Sequence, residues 1–61
     1  MPVLTTKELM GLSDQLDSEK VLHCKYLAAA QQTEDEQLKA QFTALADQHK
    51  HNYGTLLDFL H

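Results

Sequence analysis

Apolar residues recur along this chain at intervals of three and four. Leu9, Leu12, Leu16, Leu27 and Ala30 keep that spacing in the first half, and Leu38, Phe42, Leu45, Leu56 and Phe59 keep it in the second. This is the stripe of an amphipathic helix, and no period-two alternation of the strand kind occurs. Shifting the first stripe by 29 positions lays it on the second, pairing Leu9 with Leu38, Leu16 with Leu45 and Leu27 with Leu56. Start signals stand at matching places. Thr5-x-x-Glu8 and Thr33-x-x-Glu36 both fit the capping box, and Glu34, Asp35 and Glu36 put acids at the positive end of the second helix dipole. The pattern predicts an all-α chain with helices over about 6–31 and about 34–60, joined by a turn at about 31–34. So short a turn makes the pair an antiparallel hairpin. Gly11 and Gly54 fall inside these helices and cost about 1 kcal/mol each against Ala, too little to break them.

The stripes are wider than one hairpin can cover. At 100° per residue the first also takes in Met10, Val21, Cys24 and Ala28, and the second adds Ala46, Tyr53, Leu57 and Leu60. Each helix therefore asks for two neighbours, and the simplest closed solution is a homodimer forming a four-helix bundle. Leu9, Leu12, Leu16, Leu27, Leu38, Phe42, Leu45, Leu56 and Phe59 are its expected core. Length points the same way. A chain of 61 residues is marginal alone, because folding buries only about 60% of the surface of so short a chain. Its single cysteine allows no internal disulfide, which leaves association first and a metal second as sources of stability.

Polar residues interrupt both stripes at mid-length. Helix 1 reads Leu16, Glu19, His23, then Tyr26 or Leu27, and helix 2 reads Leu45, His49, Asn52, Leu56. Such groups are costly in a bundle core unless paired or bound to a metal. With the turn centred near residue 32 or 33, residues whose numbers sum to about 65 face each other, so Glu19 falls opposite Ala46 and within about one turn of His49. Inward Glu and His from four helices are the donors of di-metal bundles, which makes Glu19, His23 and His49 candidate ligands for iron, manganese or zinc. Position 46, where such a site would want an acid, holds Ala46, and Asp47 points about 100° away. Two alternatives stand beside the metal. Glu19, His49, Asn52 and Tyr26 can form a hydrogen-bonded layer that fixes register, or a His beside Glu19 can make assembly pH-dependent. If the layer is only structural, Glu19→Leu is expected to stabilise the dimer, whereas a large loss of thermal stability would point to a bound ion or a well-satisfied network.

Charge and composition narrow the classes of function. Nine acids against five bases give a net charge of −4 and no basic face, so nucleic acid is not an expected partner. The longest apolar run, Tyr26 to Ala30, is far short of the ~20 residues of a membrane span. The first eight residues show no secretion signal, and with a lone thiol this makes the cytoplasm the expected compartment. Cys24 reads as a small filler near the dimer seam. His51 on the outer face and His61 at the end read as solvated, and Asp47 with His51 as an exposed pair. No nucleophile set, phosphate loop or nucleotide fingerprint occurs, so no enzymatic activity is expected.

Laid in order, Glu19-Lys20, Tyr26-Leu27-Ala28-Ala29, Glu36-Gln37-Leu38-Lys39 and His49-x-x-Asn52-Tyr53-x-x-Leu56-Leu57 resemble the spore coat protein F family, and within it the short single-hairpin members of spore-forming bacteria. The resemblance runs from Thr6 to Leu60. It implies a ferritin-like fold in which one chain supplies half of the bundle, a place in the spore coat or forespore, and other coat proteins as partners. Members often read His-x-x-His-Tyr in helix 2, where this chain has Asn52 in place of the second His. The family's ligand pattern therefore carries over only to Glu19 and His49.

Overall fold

The structure is a computed structural model describing residues 3–60. Helix α1 spans Thr6–Gln32 and helix α2 spans Glu36–Leu60, and the two pack along their lengths as a hairpin. There are no strands among the described residues. The body measures 46 × 15 × 10 Å, the proportions of two helices side by side, since 27 residues at about 1.5 Å each reach about 40 Å. Among the described residues no helix is long and apolar enough to cross a membrane. The expectation for His61 lies outside the described residues.

Both helix starts are explained by their caps, but in different ways. At α1 the box forms as read: the Glu8 amide donates to Thr5 Oγ1 at 3.1 Å, and the Thr5 amide donates back to Glu8 Oε1 at 3.1 Å. That bond to the Thr5 amide also holds the Glu8 carboxyl below the ordinary carboxylate range. At α2 the expected Thr33–Glu36 box does not form. Asp35 is the cap, its Oδ1 accepting from the amides of Gln37 at 2.9 Å and Leu38 at 3.0 Å. Thr33 instead closes the turn: its Oγ1 accepts from the Asp35 amide at 3.2 Å, and its own amide donates to the Ala29 carbonyl at 3.1 Å. Aspartate reaches the free amides of a first turn as readily as threonine, and it stands two residues nearer the first apolar residue of α2, Leu38. The turn needs no residue at positive φ.

This later helix start moves the register. With the turn centred on Glu34 rather than residue 32 or 33, facing residues sum to about 68 instead of 65. Glu19 then meets His49 and His23 meets Ala46. The hairpin seam is made by Leu12, Leu16, Leu22 and Tyr26 of α1 against Phe42, Ala46, Tyr53 and Leu56 of α2, all buried or half-buried. Among the described residues Ala30 and Ala46 are the only apolar ones that are buried. Small side chains at these points let the backbones approach closely. Leu9, Leu27, Leu38, Leu45 and Phe59 of the expected dimer core are 40–51% exposed in the hairpin. Met10, Val21, Cys24 and Ala28 are exposed as well.

Candidate functional site, a polar layer at mid-hairpin

Glu19 is the one charged side chain buried in the hairpin among the described residues, at 7% exposure. It reaches that state with both oxygens occupied. Gln15 Nε2 donates to Oε1 at 3.0 Å from one turn back on α1. Across the seam His49 Nδ1 lies 2.8 Å from Oε2, and Asn52 Nδ2 donates to the same oxygen at 3.3 Å. An ionised carboxylate only accepts, so the proton of this contact sits on His49 Nδ1. The Asn52 amide is itself held, its Oδ1 accepting from Gln48 Nε2 at 3.0 Å. Three donors, His49 foremost, outweigh the cost of burial and keep the Glu19 carboxyl below the ordinary carboxylate range.

Aromatic packing fixes the imidazole. The Tyr26 ring lies parallel to that of His49, with centroids 5.6 Å apart and 3° between planes, and on its other side stacks with Phe42 at 6.2 Å. These are offset-stack distances. The helical period explains the set. Glu19 and Tyr26 are seven apart on α1, as are Phe42 and His49 on α2, so each helix offers one aromatic and one polar group about two turns apart on a single face.

His23 is placed elsewhere. Its Nδ1 lies 2.7 Å from the Ala46 carbonyl oxygen, so Nδ1–H donates to backbone and the ring braces α1 against α2 where Ala46 is wholly buried. Of the three candidate ligands, then, Glu19 and His49 meet and His23 does not join them. Among the described residues no three His, Cys, Asp or Glu side chains are grouped so as to hold a metal. No buried side-chain nitrogen or oxygen among the described residues lacks a hydrogen-bond partner. Lys20, His23, Lys50 and Tyr53 border a shallow cleft on one side of the layer, with a volume of about 230 Å³. Gln15, Gln48, Asn52 and Thr55 border another on the opposite side.

Two contacts of the seam lie outside the sequence-based expectations, in different degrees. The Gln15 bond is readable from sequence, since Gln four residues before Glu on a helix is a standard pairing distance. The His23 contact is not, because it depends on the register of the turn and on a backbone acceptor that no side-chain pattern reveals. Comparison with protein-family models, with curated proteins and with solved structures returns no match for this chain.

Proposed function

We propose that this chain is a non-enzymatic structural and assembly protein that works as a homodimer, two hairpins forming one four-helix bundle. The observation that carries the reading is the uneven burial of its apolar residues. Two alanines are fully buried, whereas Leu9, Leu27, Leu38, Leu45 and Phe59 each stay at least 40% exposed. An exposed apolar surface of that extent on a two-helix body marks an association face. The resemblance of Glu19-Lys20, Tyr26 to Ala29 and His49 to Leu57 to the spore coat F family adds a place for such a module: a ferritin-like half-bundle presenting an acidic outside to other coat proteins. Sedimentation equilibrium is expected to give the mass of two chains and a melting temperature that rises with concentration. A well-folded monomer at all concentrations would overturn the dimer. A fluorescent fusion in a sporulating host is expected to collect at the coat, and a signal spread evenly through the cytoplasm would overturn the coat assignment.

The metal alternative finds less support. It needs Glu19, His49 and His23 on one ion, yet Glu19 has both oxygens engaged and His23 is turned to a carbonyl. Untagged protein supplied with iron, manganese or zinc is expected to retain no stoichiometric metal. Retention that Glu19→Ala abolishes would restore this reading.

A further inference from the structure

Helix α2 carries a second stripe beside the one that meets α1. Leu38, Leu45, Asn52 and Phe59 follow one another at intervals of seven, a spacing that keeps residues in line along a helix. Leu38, Leu45 and Phe59 are 43%, 40% and 51% exposed. Along its outer edge run Gln41, Gln48 and Thr55, also seven apart and exposed. These seven positions carry no charge in a chain with fourteen charged side chains, nine acidic and five basic. Gln15 and Glu19 of α1 share a depression with Gln48, His51, Asn52 and Thr55, which sets α1 and α2 residues on this same side, and the one carboxylate there is the Glu19 already bonded within the hairpin. Beyond Thr55 and His51, which border both depressions, α2 turns to a charged face with Asp47, Lys50 and Asp58.

We propose that a second copy of this chain docks on the uncharged side, α2 against α2 and antiparallel, with the two-fold axis passing between Gln48 and His49. The proposal rests on the homodimer reading and names Leu38, Leu45 and Phe59 as the face that would make it, Leu9 and Leu27 standing in line with Lys20 on the other side of the hairpin and outside this contact. A two-fold contact must be complementary to itself, and this stripe is: reversed, it sets Leu38 against Phe59 of the partner subunit and Leu45 against Asn52 of the partner subunit. An acidic chain meets its own copy with least repulsion where neither carries charge. Asn52, the polar member of the stripe, has its Nδ2 and Oδ1 each bonded within the hairpin, to Glu19 and from Gln48, and covering it removes neither bond.

Single cysteines test the face in a Cys24→Ser background. Gln48→Cys sits beside the axis, where the two copies come within the ~7 Å Cα separation a disulfide tolerates, and Asp47→Cys points away from it. Mild oxidation is expected to link Gln48→Cys into covalent dimers and leave Asp47→Cys unlinked. Leu45→Glu is expected to weaken dimerisation by more than about 100-fold, because a charge would be buried without a partner. Val21→Glu adds the same charge at a site 64% exposed on the far side of α1, and is expected to change it by less than about threefold. A wild-type chain that stays monomeric would overturn the face and the homodimer together. A wild-type dimer in which Gln48→Cys fails to link, or Asp47→Cys links instead, would overturn the face alone. The cysteine result stands whether or not Leu45→Glu folds.

Discussion

The middle of this hairpin and its flanks divide polarity in the reverse of the usual way. At mid-length a carboxylate is 7% exposed and fully hydrogen-bonded, whereas on the flanks Leu45 and Phe59 are 40% and 51% exposed. The difference has a physical basis. Two helices form a single seam, and a residue in that seam must satisfy the opposite helix or be small. Glu19, His49 and Asn52 satisfy each other, Ala30 and Ala46 are small, Leu12, Leu16, Leu22 and Leu56 are half-buried beside them, and Leu9, Leu27, Leu38, Leu45 and Phe59 are left largely exposed. The layer therefore specifies which turn of α1 meets which turn of α2, and in the proposed dimer the flanks would supply the hydrophobic energy that such a seam alone does not provide.

Removing Glu19 is the strongest way to break this contrast. Glu19→Leu would strip the acceptor from Gln15, His49 and Asn52 at once and leave three donors unpaired beside an aliphatic chain. Of the two outcomes expected from sequence, stabilisation for a merely structural layer and loss for a well-satisfied network, the three donors on Glu19 favour the loss. Thermal unfolding by circular dichroism is expected to show a larger loss of melting temperature for Glu19→Leu than for any other single substitution in the hairpin seam. An unchanged or raised value would show that the layer is not satisfied as described. Ala46→Leu comes next. Ala46 is wholly buried at the closest approach of the helices and its carbonyl accepts from His23, so the added methylenes force the seam apart at about 1–3 kcal/mol. Chemical denaturation at fixed protein concentration measures it.

Acid sharpens the same contrast without a mutation at the seam. The Glu19 carboxyl is lowered in the folded state, chiefly by the His49 contact. The unfolded chain therefore takes up the proton more readily. The stabilisation is present above the ordinary carboxylate range and is lost as pH falls through the lowered value. Melting temperature is expected to decline on acidification, and less steeply in Glu19→Gln. Glu8 contributes with the same sign through its bond to the Thr5 amide, so Glu8→Gln serves as the comparison for a group outside the layer. Equal flattening by both variants would show that the layer is not the acid-sensitive element.

What is legible in the sequence depends on whether a feature is local. The two helices are legible because the Leu9, Leu16 and Leu38, Leu45 spacings repeat over many turns, and so is the Thr5–Glu8 box, which involves one stretch of chain. The contact of Glu19 with His49 is legible only as proximity, because a few residues' uncertainty at Thr33 to Glu36 shifts every facing pair by about one turn. Asp35 decides that shift. Thr33 and Asp35 both make plausible caps, and the choice rests on how the turn closes in space. Asp35→Ala is accordingly expected to cost about 1 kcal/mol, the usual value of an N-cap side chain, and Thr33→Ala less. The reverse order in denaturation experiments would restore the earlier helix start.

The smallest expected effect bears on the flanks. A methyl group placed on Gly11 or on Gly54 meets nothing within 4 Å in the hairpin among the described residues, and neither glycine has positive φ. Alanine in a helix interior is favoured over glycine by about 0.5–1 kcal/mol, largely because the unfolded chain has less freedom to lose. In an isolated hairpin both substitutions would be stabilising. In the proposed dimer they separate. Gly54 lies among Asp47, Lys50, His51 and Asp58 on the charged side, away from the seam, and Gly54→Ala keeps its full gain. Gly11 lies four residues before Gln15, on the edge of α1 that faces the partner, where a methyl competes with the approaching copy for space. Gly11→Ala is therefore expected to gain less than Gly54→Ala at concentrations where the dimer forms, and to match it on dilution to monomer. Equal gains at every concentration would mean that nothing packs over Gly11. A loss confined to Gly54→Ala would move the partner to the opposite side of the hairpin.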